Sequence, residues 1–135
     1  VTLGDRVESD GRVSITTGYS SQLNIGSGVY FNDGAVISCL GKITIGDNTL
    51  FGPGVKIFDN NHRFSREKGV SRECTAGCIT VGRSCWIASD VVLLKGTDIG
   101  DNCVIGAGCV IRGKVPAGSL VTRSGEQTTR PIETR

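Results

Sequence analysis

The sequence predicts an all-β chain wound as a single-stranded parallel β-helix of hexapeptide repeats, with one long inserted loop. Three observations predict it. From Val81 onward, aliphatic residues recur every six positions, at Val81, Ile87, Leu93, Ile99, Ile105 and Ile111. Four residues after each stands a small or β-branched side chain: Cys85, Val91, Thr97, Cys103, Cys109 and Val115. The 135 residues include 20 glycines, about twice the usual ~7%, and Gly82, Gly100 and Gly106, with Ala88, directly follow aliphatic positions. An amphipathic helix would repeat at three and four residues and a hairpin strand at two. A sustained period of six marks a stacked-coil repeat architecture.

Each hexapeptide supplies one short strand and one corner, and three of them close a coil of about eighteen residues. The aliphatic residue points inward, the small residue fills the remaining interior, and the corner takes glycine or another residue tolerant of unusual backbone angles. Successive coils then pair as parallel strands about 4.8 Å apart, so each hexapeptide takes its core and hydrogen bonds from its neighbours.

The same register extends upstream with breaks. Ile25, Phe31 and Ile37 form one set, with Val29 and Ala35 at the small position, and Ile45, Phe51 and Ile57 form the next, with Thr49 and Val55. The step from Ile37 to Ile45 is too long by about two residues, which places a bulge near Cys39 to Gly41. The step from Ile45 to Val81 spans two coil lengths instead of one, which places an insertion of about eighteen residues within 59–77. Leu3 to Val7 reads as a further repeat, whereas Val13 to Leu23 does not keep count. The expectation is one domain over residues 1–135, of five to six coils, with the inserted loop at about 59–77 and a C-terminal tail at about 122–135, polar and partly mobile from Glu126 to Arg135.

Composition narrows the function classes. A formal net charge of +2 is too small for a dedicated nucleic-acid binder. No apolar run reaches the length of a membrane span and no signal peptide is visible. The chain has no methionine and opens inside what reads as a repeat, so a longer gene product is expected. Of the six cysteines, Cys85, Cys103 and Cys109 occupy the small inward position that Thr and Val also fill, where a free thiol serves as a core residue. An interior rich in unbridged cysteine favours a reducing, cytoplasmic compartment. Cys74 and Cys78 end the inserted loop, but with a single histidine they leave a zinc set incomplete, and no metal is expected.

The loop opens Asp59-Asn60-Asn61-His62-Arg63-Phe64, and His62 is the only histidine. A neutral imidazole is the usual general base for a hydroxyl. A long loop interrupting a regular solenoid is a common place for binding or catalysis.

These segments, with Ile79-Thr80-Val81-Gly82-Arg83-Ser84-Cys85-Trp86-Ile87 and Ile99-Gly100-Asp101-Asn102-Cys103-Val104-Ile105-Gly106-Ala107-Gly108-Cys109-Val110-Ile111, resemble the hexapeptide-repeat acyltransferases. Within them the chain is most similar to the acetyl-CoA-dependent O-acetyltransferases of sugars and surface polysaccharides. The resemblance covers roughly Ile25 to Val121, and it alone implies a left-handed coil, since parallel crossovers are otherwise right-handed. It implies that His62 is the catalytic base, that Asn32 lines the acceptor pocket, and that Trp86 lies close to the active site. A packing aromatic at the loop base is the other reading of Trp86. The resemblance also implies that Ala107 and Gly108 run beside the pantetheine arm of acetyl-CoA and that Arg112 and Lys114 lie near its phosphates. For the latter two, plain solvated charge is the alternative. Asp59 is a candidate second carboxylate orienting His62. The implied assembly is a homotrimer with active sites between subunits, taking a CoA thioester and a carbohydrate acceptor.

Two segments depart from the family pattern: Trp86-Ile87-Ala88-Ser89-Asp90 on the acceptor side, and Arg123-Ser124-Gly125-Glu126, which stands where a GNPA motif usually ends the coil near CoA. The expected reaction is direct O-acetylation of a sugar hydroxyl by acetyl-CoA. A ping-pong route through Cys74 or Cys78 is the competing mechanism. N-acetylation of an amino-sugar nucleotide and a catalytically silent β-helix scaffold are the alternative functions.

Overall fold

The computed structural model of the protein describes residues 1–124 and 126–132, and the described chain is a left-handed parallel β-helix without α-helix. Coil 1 contains β1 (Thr2–Leu3), β2 (Glu8–Asp10) and β3 (Val13–Thr17), and coil 2 contains β4 (Gln22–Ile25), β5 (Tyr30–Asn32) and β6 (Ala35–Cys39). Coil 3 contains β7 (Lys42–Ile45), β8 (Leu50–Phe51) and β9 (Lys56–Phe58). The chain then leaves the wall as a hairpin of β10 (Asn60–Ser65) and β11 (Gly69–Ala76). It resumes with β12 (Cys78–Val81), β13 (Trp86–Ile87) and β14 (Val92–Leu93) in coil 4, and with β15 (Asp98–Ile99), β16 (Val104–Ile105) and β17 (Val110–Ile111) in coil 5. β18 (Lys114–Val115) and β19 (Ser119–Ser124) begin coil 6, and β20 (Glu126–Pro131) follows.

Three parallel sheets form the walls of a prism. The first face is β1-β4-β7-β12-β15-β18, the second is β2-β5-β8-β13-β16-β19, and the third is β3-β6-β9-β14-β17. The register stacks like on like. Ile25, Ile45, Val81, Ile99 and Val115 form one interior column, and Phe31, Phe51, Ile87, Ile105 and Val121 form the second. Ile37, Ile57, Leu93 and Ile111 form the third. All are at most 3% exposed, and burying each such side chain is worth about 1.5–3 kcal/mol. Phe31 and Phe51 stack with ring centroids 4.9 Å apart and planes 8° from parallel.

The small inward residues also satisfy backbone between coils. Thr49 Oγ1 donates to the Gly82 carbonyl at 2.8 Å and accepts from the Cys85 N–H at 3.1 Å. The thiols of Cys85 and Cys103 donate to the carbonyls of Gly100 and Pro116 at 3.2 and 3.1 Å. Cys39, Cys85, Cys103 and Cys109 are buried and unbridged, and Cys74 and Cys78 are exposed and unbridged. Gly82 is fixed by the coil above it, since a Cβ there would lie 2.6 Å from the Gly100 carbonyl carbon.

Coil 1, which did not keep count in the sequence, pairs in regular register, Val13–Thr17 against Ala35–Cys39. The count is lost because the corner after β3 carries extra residues, closed by Ser21 Oγ, which accepts from Gly18 N–H at 3.0 Å and donates to Gly18 O at 2.9 Å. The matching corner at 40–41 is closed by Asp59. The C-terminal tail also carries a strand that the period of six does not predict. Residues 126–131 turn back and pair antiparallel with β19, Leu120 opposite Arg130, so the second face ends on a strand of reversed direction. Gly125 and residues 133–135 of that tail lie outside the described residues. Among the described residues, no helix is long and apolar enough to cross a membrane.

Candidate active site

The β10/β11 hairpin leaves the prism at the edge between the third and first faces, because β9 and β12 flank it. Its side chains are almost all exposed, and His62 lies directly opposite Cys74 across the two strands. His62 Nδ1 lies 3.0 Å from the Ser71 carbonyl oxygen and 3.6 Å from Cys74 Sγ. A carbonyl oxygen only accepts, so the contact with Ser71 requires Nδ1–H as donor. The neutral ring is then left with a bare lone pair at Nε2. This tautomer is what a general base needs.

Asp59 does not orient His62. Its side chain is 0% exposed and accepts from the Leu40 and Gly41 N–H groups at 2.8 Å each, with Asn60 Nδ2 donating to it at 3.1 Å. A carboxylate placed to cap two backbone donors holds the corner of coil 2 and the root of the hairpin together. The interior thiols are poor nucleophiles: burial pushes Cys39 up to about 11, with Asp59 adding to the shift, and burial also raises Cys85 and Cys109.

Asn32, Trp86 and Ala107 share one feature, an open groove of about 620 Å³ along the second face. Its lining includes the small residues Gly52, Ala88 and Gly106. Asn32 Nδ2 donates to the Phe51 carbonyl at 2.9 Å, which fixes the amide and leaves its oxygen as an acceptor. Trp86 is 55% exposed and stands in an outward column between Leu50 and Val104. It is therefore not a packing aromatic at the hairpin base, which lies on another edge. Gly108 has φ +75, and an added Cβ would meet only the Arg123 guanidinium at 3.4 Å, so within one chain glycine is required there by conformation more than by space.

Arg112 lies elsewhere, lining a pocket of about 170 Å³ with Asn61, Leu94 and Lys95 at the root of the hairpin. Lys114 opens β18 on the first face, exposed and opposite Asp98 in register. Asn32, Trp86 and Ala107 thus fall on one side of the prism, and His62 and Arg112 on another edge. Lys95 and Asn61 were missed in the sequence; Lys95 occupies an ordinary corner position, and only the fold brings it beneath the hairpin, where Nζ donates to Thr75 Oγ1 at 3.0 Å. No group of three or more His, Cys, Asp or Glu side chains is placed to hold a metal among the described residues.

Comparison with known proteins agrees with this architecture. The family described as bacterial transferase hexapeptide (six repeats) matches residues 78–113. Galactoside O-acetyltransferase of Escherichia coli K12 is 38% identical over 98 residues, covering 73% of this chain and 48% of that protein. The chain thus spans about half the length of that curated relative. The crystal structure of a hexapeptide-repeat acetyltransferase from Vibrio cholerae superposes with a TM-score of 0.87 at 25% identity, covering 98% of this chain and 74% of that one. A galactoside acetyltransferase in complex with coenzyme A superposes with a TM-score of 0.69 at 29% identity, covering 94% of this chain and 64% of that one. The repeat, the fold and these relatives together make the chain similar to the hexapeptide-repeat acyltransferases.

Proposed function

We propose that this protein is an acetyl-CoA-dependent O-acetyltransferase of a sugar or surface-polysaccharide precursor, with His62 as general base. The observation that carries the reading is the 3.0 Å contact between Nδ1 of the chain's one histidine and the Ser71 carbonyl oxygen on an exposed hairpin. A proton on Nδ1 satisfies that contact and leaves the Nε2 lone pair for a hydroxyl proton. The similar galactoside acetyltransferases act on a sugar hydroxyl or hold coenzyme A by name, and the groove beside Asn32 and Trp86 has room for such partners.

In this reading the acceptor hydroxyl oxygen attacks the thioester carbonyl carbon while its proton passes to His62 Nε2. The tetrahedral intermediate collapses by breaking the C–S bond, and the departing CoA thiolate takes the proton back from the imidazolium. Ala107 and Gly108 flank the pantetheine arm, Asn32 and Trp86 hold the acceptor, and Arg112 and Lys114 meet the CoA phosphates. Because the groove and His62 lie on different edges of one prism, a complete site needs a second copy. A homotrimer that sets the hairpin of one subunit against the groove of the next would supply it. The outward apolar column of Leu50, Trp86, Val104 and Leu120 suits such a contact. A cytoplasmic setting, where acetyl-CoA is made, fits the unbridged interior cysteines.

Calorimetry with acetyl-CoA on the wild type and on His62→Ala tests the reading. Both are expected to bind, with sugar-dependent release of free CoA from the wild type alone. Absence of binding by either protein at millimolar acetyl-CoA would leave a silent scaffold as the answer. Release with amino-sugar nucleotides only would move the assignment to N-acetylation.

A further inference from the structure

His62 has a second neighbour on its Nδ1 side, and the reaction outlined above gives it nothing to do. Cys74 Sγ lies 3.6 Å from Nδ1, on the residue directly opposite in register. The ladder slips between His62 and Phe64, and the slip lets the Ser71 carbonyl reach the same nitrogen. The Nδ1–H of this exposed ring therefore faces two acceptors, one hard and one soft. Either acceptor alone leaves the ring room to turn about its last torsion, where the preferred angles are broad. Two acceptors on one side oppose the ring flip that would turn a carbon toward Ser71.

We propose that Cys74 is a positioning residue for His62: its sulfur, together with the Ser71 carbonyl, holds the imidazole in the Nδ1–H tautomer and aims Nε2 at the acceptor hydroxyl. The proposal rests on the acyl-transfer reading for its effect on rate, and on the hairpin alone for its effect on the ring. As the ring takes up a proton, the Nδ1–H grows more positive, and a polarizable sulfur beside it stabilises the imidazolium in the transition state without the full charge of a carboxylate. A carboxylate there would add a full negative charge and shift the ring toward its protonated form.

The other charged groups near the ring do not take this place. Arg63 and Glu73 pair with each other, Nε to Oε2, at 3.7 Å. Arg72 lies on β11, and Arg66, Glu67 and Lys68 are at the turn. Lys95, the cation reaching in from the coil wall, is bonded to Thr75.

The test uses the single histidine, whose ring nitrogens give one unambiguous set of signals in ¹⁵N-labelled protein, with Cys74→Ser, Cys74→Val and Cys74→Asp beside the wild type. Serine keeps an acceptor, valine keeps bulk without one, and aspartate adds charge. The wild type and Cys74→Ser are expected to show a protonated Nδ1 and a bare Nε2, while in Cys74→Val the two signals move toward averaging. Turnover should fall on the order of tenfold in Cys74→Val, with acetyl-CoA affinity unchanged, and stay near wild type in Cys74→Ser. Cys74→Asp should raise the ring's titration midpoint by about one pH unit or more, and the acidic limb of the rate profile should follow it.

A Cys74→Val protein with wild-type ring signals and turnover would overturn the proposal, as would a Cys74→Asp ring that titrates like the wild type. If the wild type releases no CoA, the acyl-transfer reading fails. The ring signals then still decide whether Cys74 positions His62.

Discussion

The coil wall and the hairpin of this molecule are built on opposite terms. In the wall every interior side chain is shared between the coils above and below, and the columns led by Ile25, Phe31 and Ile37 are at most 3% exposed. In the hairpin nearly every side chain faces solvent, including Phe64 at 80% and Val70 at 74%, and two isolated strands are marginal in water. The wall is therefore where sequence is converted into stability, and the hairpin is where a reactive group can be held with little cost to the fold. A change in the wall should cost folding first, whereas a change at His62 should cost chemistry alone.

The sharpest way to break this division is His62→Ala. Turnover is expected to fall ~10²–10⁴-fold with the thermal midpoint unchanged, measured by CoA release and by melting on the same sample. A matching loss of stability would mean that the imidazole also supports the hairpin. Phe51→Ala should do the reverse. Phe51 is 0% exposed and stacked on Phe31, and its truncation should cost about 3–5 kcal/mol in denaturant unfolding, with activity lost only in proportion to unfolded protein.

Asp59 sits where the two regions join. Asp59→Asn replaces a carboxylate that accepts from Leu40 and Gly41 with a group that has one acceptor oxygen. A loss of about 1–3 kcal/mol is expected, together with faster hydrogen exchange across residues 60–76. Exchange confined to the coil 2 corner would show that the hairpin is anchored some other way.

The smallest effect expected is on pH dependence. The Cys39 thiol is raised from 9.0 to about 11 by burial and by Asp59. A folded value above the unfolded one means that the native state keeps a proton the unfolded chain gives up. Stability is then full below pH 9 and falls as pH rises toward 11. Denaturant midpoints measured across that window should decline, and Cys39→Ala should flatten that part of the decline.

The wall was legible in the sequence because its chemistry repeats. An interior that accepts one aliphatic residue per short strand writes its period directly into the chain, and Val81 to Ile111 keeps it over five successive steps without error. Coil 1 was harder to read because the extra residues held by Ser21 shift the count without changing the pairing. The candidate site was legible as residues but not as an arrangement. His62 stood out as the sole histidine in the one interruption. Nothing in a period of six says that Asn32, Trp86 and Ala107 share a groove while Arg112 sits with Asn61 and Lys95 on another edge. Asp59 was misread for a related reason: its nearness to His62 along the chain says nothing about the backbone amides of the coil below, which it caps.

The three walls also carry a second message, of longer wavelength than the first. Position within a hexapeptide decides inward or outward, but which wall a residue joins depends on counting hexapeptides in threes. Losing one hexapeptide from coil 4 would keep every aliphatic residue inside while rotating all later coils by a third of a turn. The column of Leu50 and Trp86 would then meet strands from a different wall, and the groove would be cut in two with the core intact. Losing three hexapeptides together would shorten the groove and leave its lining in phase. Such a chain tolerates change by the whole turn, and an edit of one hexapeptide, a third of that length, can erase a binding surface while leaving the core intact.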